Sequence, residues 1–326
     1  MNVMKNYWFL LLLAIFVCAS TVEAQEVIRP LKKMQLSEKT PPDQVPVWTG
    51  VAVDSKLRAY VGGDDHKIRL WNLQTGEIEK KLARNIDWIK AVRLRPDGLI
   101  LLSADMGDVG LMWETDNPEN AFTTLKGIET AITSASFTKD GSKVAIGTFG
   151  GGVFVFDAKT GAALNRLTVS SGTADAVAWS DDNRFLAASG RLGIIRVWDF
   201  ANGAKSADLT GHIRRVHALT FQADGSLISG GEDNRLYMWN PAEAKVVGGI
   251  ENLPGKVRCI TSVGHNSVAV GMCDNSLGVW SFDTNSQTYK MEGHTGTIAD
   301  MQWVESQRWL VTVGFDSSIC VWVLDK

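Results

Sequence analysis

Short apolar runs alternate with polar turns along nearly the whole chain, and they do so with a fixed period. Runs end in an aromatic residue at Trp71, Trp113, Phe156, Trp198, Trp239, Trp280 and Trp322, at successive spacings of 42, 43, 42, 41, 41 and 42 residues. The punctuation inside each interval also recurs. A first run closes on a bulky residue such as Phe137, Trp179, Phe221 or Trp303. A turn dipeptide follows (Asp97-Gly98, Asp140-Gly141, Asp182-Asn183, Asp224-Gly225) of the kind that tolerates the positive φ of tight hairpins. A second run of small residues comes next, as at 227–231, then an aspartate-rich turn and a third run ending in the aromatic, as at 235–239. Thr75-Gly76, Thr160-Gly161 or Asn202-Gly203 then turns the chain into a fourth run. Short runs bounded by turn residues predict strands, four to a unit, and an all-β chain of seven units.

The units resemble WD repeats. Trp198-Asp199 and Phe156-Asp157 stand as the terminal dipeptide, and Gly211-His212 and Gly293-His294 as the Gly-His pair. Asp65, Asp233, Asp274 and Asp316, each six residues before its tryptophan, match the family's turn aspartate. The resemblance covers residues from about 44 to 326, and its period is that of four-stranded propeller blades. It implies a seven-bladed β-propeller of antiparallel blades, in which stacking hides both apolar faces of each sheet. The last unit stops after its third strand, near Val323, and so lacks a fourth. The segment from Val27 to Leu36 is expected to pair beside that strand and close the ring, as WD-repeat proteins are known to do. Pro30, Pro41 and Pro42 limit this strand and mark a linker. The expected organisation is therefore 1–24 signal peptide, 25–46 closing strand and linker, and 47–326 propeller.

The first 24 residues differ in kind from the rest. Lys5 precedes an 11-residue apolar run over 7–17, and Val22-Glu23-Ala24 suits cleavage before Gln25, so the chain is expected to be secreted or periplasmic. The run is too short for an ordinary membrane-spanning helix, so no transmembrane segment is expected in the mature chain. Cys18 offers lipid anchoring as an alternative, although Val17 departs from the small residue expected before a lipidated cysteine. The mature chain keeps Cys259, Cys273 and Cys320, read as small apolar fillers; Cys259 and Cys273 share a predicted hairpin, so a disulfide between them stays open. No paired-cysteine zinc pattern occurs, and five histidines offer no metal cluster. The net charge of −3 leaves no footprint for nucleic acid.

Two residue sets imitate catalytic triads: His212, Ser229 and Asp233, and His294, Thr312 and Asp316. The resemblance implies instead a buried hydrogen-bond network in each unit, completed by Trp239 and Trp322. Ile128, Ser170 and Leu253 stand where the histidine would be in units three, four and six, and Gly150 replaces the aspartate in unit three. The ring is therefore expected to be softest around units two to four. The run Gly150-Gly151-Gly152 reads as a turn, not a phosphate loop.

The resemblance places partners on the narrow face around the channel, three positions per unit. Units four to six place Arg191, Arg215, Lys256 and Arg258 along one arc of that face, where Glu232 and Asp175 offer partial balance to Arg215 and Lys256; Lys90 and His217 are further candidates, and Trp88, Met106, Phe149 and Phe315 add aromatic or apolar groups. Basic residues beside aromatic anchors match the composition of protein hot spots. The expected function is a monomeric, non-enzymatic, cofactor-free scaffold for an acidic protein or peptide. The alternatives are a propeller enzyme, a small-ligand binder for a sugar or cofactor, or an envelope protein-assembly factor.

Overall fold

A computed structural model describes residues 27–36, 45–117, 121–170 and 172–324. The segment 1–24 expected to be a signal peptide, with Cys18, and the prolines Pro41 and Pro42 expected in a linker lie outside the described residues.

Seven antiparallel sheets are present, each built on consecutive strands. The innermost strands are Trp48–Val53, Ile89–Leu94, Ile132–Phe137, Ala176–Trp179, Val216–Phe221, Val257–Gly264 and Ile298–Val304. Each packs against the innermost strand of the next sheet, and the seventh packs against the first, so the sheets form a closed ring of blades. The hairpin turns are where the dipeptides predict them: Gly98, Gly141 and Gly225 take φ of 72°, 69° and 86°, and Asn183 takes 58°.

Seven apolar clusters hold the ring, each straddling two neighbouring blades. The cluster between blades one and two, for example, joins Ala52, Tyr60, Ile68 and Leu70 to Ile89, Val92, Leu101 and Trp113. Full burial of each such aliphatic side chain contributes roughly 1.5–3 kcal/mol. A single sheet with two apolar faces could not bury either alone, and this is what makes the circular arrangement obligatory.

Ring closure follows the expectation in part. Lys32–Met34 pairs antiparallel with Ile319–Val323 and completes blade seven, with Met34 opposite Ile319. The front of the segment does something else: Val27–Ile28 pairs in parallel with Lys290 and Met291 on the outer edge of blade six. Pro30 and Leu31 separate the two pieces, and proline cannot donate to a ladder, so the chain steps from one blade edge to the next. Closure is reinforced inside. Asp300 accepts from the Val51 N–H, Gln302 accepts from Val53 N–H and donates to its carbonyl, and Trp48 Nε1 donates to the Ser317 carbonyl.

Candidate functional site

Strand direction alternates within each blade. The loops between second and third strands therefore share one end of the ring with the connections between blades; this end is called the upper face here. Six of the seven innermost strands carry a β-bulge at their upper end, between residues 48 and 50, 89 and 91, 132 and 134, 216 and 218, 257 and 259, and 298 and 300. A bulge leaves one residue outside the ladder and re-aims its side chain. The residues so displaced are Thr49, Lys90, Thr133, His217, Arg258 and Ala299. In blade four the equivalent Asp175 precedes the strand instead, its N–H donating to the Ser189 carbonyl at 2.7 Å. All seven line the central channel, a cavity of about 430 Å³.

The basic arc sits at this mouth, but much of it is already paired. Arg215 Nε lies 3.0 Å from Asp175 Oδ2, and Lys256 Nζ lies 3.9 Å from Glu232. His217 Nε2 meets Glu232 Oε1 at 2.8 Å, and Arg258 stands 3.4 Å from His217 Nδ1. Burial first, then the Arg258 charge, holds His217 below the ordinary histidine range against the pull of Glu232. It is therefore a neutral ring that donates from Nε2 and accepts at Nδ1. Arg191 is exposed, and its guanidinium has no ion-pair partner among the described residues. Lys90 lies over the Trp88 ring, 5.8 Å from its centre, and burial together with the Arg258 charge lowers its pKa.

Trp88, Met106, Phe149 and Phe315 are all exposed on the upper face, at 48%, 40%, 59% and 44%. Three apolar residues that the periodic mapping passed over join them: Ile86, Leu192 and Ile213. Gly193 is packed against the backbone of His212 and Arg214, which sets Leu192 beside Ile213 where blades four and five meet. The signal for them was adjacency: each lies within two residues of a mapped position, in the same loop.

The triad-like sets are sealed inside the blades. His212 Nδ1 bonds Asp233 at 2.9 Å, its Nε2 bonds Ser229 Oγ at 2.8 Å, and Trp239 Nε1 donates to the same oxygen at 2.8 Å. His294, Asp316, Thr312 and Trp322 repeat this at 3.0, 2.7 and 2.9 Å. The histidine side chains have no exposure, and both hydroxyls are saturated, so no substrate reaches them. Burial pushes the Asp233 and Asp316 carboxyls up, but the histidine hydrogen bonds and backbone N–H groups outweigh it and hold both below the ordinary range.

Blade two, where no histidine is present, carries a complete set as well. Asn85 stands in for the histidine: its Nδ2 donates to Asp105 at 3.0 Å and its Oδ1 accepts from Ser103 at 2.9 Å, while Trp113 Nε1 donates to Ser103 at 2.9 Å. The signal was a serine ten residues before the marker tryptophan, the offset of Ser229 and Thr312. Asp65, by contrast, pairs with Arg69 at 2.6 Å, and the Trp71 Nε1 is buried without a partner. The three cysteines among the described residues are free, and the filler reading fails for Cys273, which is exposed at the upper face while Cys259 and Cys320 are buried.

A family model described as Nucleolar protein 10-like, N-terminal domain, matches residues 58–242, more than half of the chain, and one described as WD domain, G-beta repeat, matches 285–323. The chain belongs to the WD-repeat β-propellers. Among similar WD-repeat chains, WD repeat-containing protein 1 of Xenopus tropicalis is 28% identical over 291 residues, 83% of this chain and 46% of its own length. Autophagy-related protein 16 of Arabidopsis thaliana is 20% identical over 270 residues, 81% of this chain and 53% of its own. Apoptotic protease-activating factor 1 of Danio rerio is 22% identical over 236 residues, 72% and 18%. The chain thus spans about half or less of these relatives. No helix among the described residues is long and apolar enough to cross a membrane, and no cluster of three or more metal-ligating side chains occurs among them.

Proposed function

We propose that this WD-repeat propeller is an exported, non-catalytic scaffold that binds an acidic protein segment across its upper face. The carrying observation is where large apolar side chains meet solvent. Thirteen are exposed among the described residues, and seven of them (Ile86, Trp88, Met106, Phe149, Leu192, Ile213 and Phe315) belong to the loops of the upper end. At the opposite end stands Leu99 alone, and the other five lie on the outer rim. Clustered exposed apolar surface rimmed by charge marks interaction sites, whereas scattered single residues do not. Arg191 and Arg214 add unpaired positive charge to the same loops, which suits an acidic segment. Export rests on the basic, apolar and small-residue order of the first 24 residues.

The test is comparative capture from envelope and secreted extracts, using the mature chain and a variant with Trp88→Ala, Phe149→Ala, Phe315→Ala and Arg191→Glu. Central aromatic anchors are worth about 2 kcal/mol or more each. The expected result is loss of the captured protein with an unchanged unfolding temperature. Equal capture by both proteins overturns the reading.

A further inference from the structure

Two cations at the channel mouth have no carboxylate partner among the described residues. Lys90 and Arg258 occupy equivalent displaced positions at the bulges of blades two and six, and both line the same cavity. Lys90 has the Trp88 ring beside it, and Arg258 has the neutral His217. The other charged groups of this cavity are matched. Arg93 bonds Asp300 at 2.7 Å, Asp175 faces Arg215, and Asp181, at the opposite end, meets Lys139 at 3.3 Å. The hydroxyls of Thr49 and Thr133, on the same ring, are turned to backbone carbonyls. Two half-buried like charges sharing a mouth repel one another and raise the cost of their own desolvation. An anion seated between them relieves that repulsion.

We propose that the mouth of the channel between Lys90 and Arg258 is a receptor for a single oxyanion, a carboxylate or phosphate group presented by the segment that docks on the upper face. This rests on the docking reading for its source of the anion, but the pocket itself is defined by this chain. The flanking groups set its selectivity. Asp175 and Asp300 stay neutralised by their own arginines, so they neither compete for the two cations nor repel the guest. Trp88 shields one side from water, which strengthens a charge-assisted contact.

Inorganic phosphate and, separately, acetate are titrated into the full chain at constant ionic strength, without any partner protein. The expected result is saturable binding that weakens at least tenfold in Lys90→Gln and in Arg258→Gln, stays within threefold in Arg258→Lys, and does not change in Lys205→Gln, an exposed lysine on an outer strand. The tighter of the two anions tells whether the pocket is built for a phosphate or a carboxylate. Absence of saturable binding, or binding by either glutamine variant as tight as by the unsubstituted chain, overturns the proposal. Because no partner is present, that failure is separate from failure of the docking reading, which capture alone decides.

Discussion

The carboxylate of Asp300, on the innermost strand of the last blade, accepts the backbone N–H of Val51 at 3.0 Å across the seam that closes the ring. The same group takes Arg93 at 2.7 Å, and the residue is buried. Asp300→Ala leaves the Val51 N–H and a guanidinium without their acceptor, a defect that costs about 1–3 kcal/mol because the Arg93 side chain is 34% exposed and water takes up part of its charge. Asp300→Asn keeps an acceptor for Val51 and gives up only the charge, so it loses less. Urea unfolding of the two variants checks the order.

Ser103→Ala removes at once the acceptor of Trp113 and the donor to Asn85, inside a fully buried site. Orphaned buried polar groups cost about 1–3 kcal/mol each, so blade two destabilises as much as blade five does on Ser229→Ala. Near-equal losses in thermal unfolding show that Asn85 serves in the histidine's place. A negligible loss in Ser103→Ala shows that it does not.

Acid should loosen the ring through Asp233 and Asp316. Their carboxyl pKa values are depressed in the folded protein, so their stabilising contribution is complete above the unfolded value of about 4 and disappears as pH falls from there toward the folded value. The double variant Asp233→Asn, Asp316→Asn is expected to be less stable at pH 7 and to lose less further stability between about pH 5 and pH 2. Unfolding free energies measured across that range test the slope.

Thiol chemistry should separate the cysteines. Cys273 is exposed, whereas burial pushes the Cys320 thiol up to about 12 and Cys259 higher still. A maleimide is expected to label Cys273 in the native protein and all three only after denaturation, with mass spectrometry reading the sites.

The aromatic spacing and the Asp-Gly turns made the seven-blade ring legible, because each is a local demand of a four-stranded unit. Three kinds of feature were hidden. Asn85 was masked because an amide bridges serine and aspartate as an imidazole does, while only the imidazole belongs to the repeat's Gly-His signature. The balance of Arg215 by Asp175 and of Lys256 by Glu232 was, by contrast, legible, since all four fall at aligned positions of neighbouring units. The bulges that aim Lys90 and Arg258 into the channel leave no mark in the pattern, since one unpaired residue does not alter the alternation of polar and apolar positions on either side. Val27–Ile28 is too short to announce a parallel partner.

Completing blade seven with residues from the front of the chain has a temporal consequence. Gln35 and Ser318, whose side chains meet at 2.7 Å, are 283 positions apart. During synthesis the strand Lys32–Met34 therefore waits until blade seven has emerged before its own ladder can form, and the entropic cost of so large a loop falls due at that step. Latching blade seven shut is thus a long-range event in the ring's assembly, and contacts at the seam govern how fast the ring becomes native.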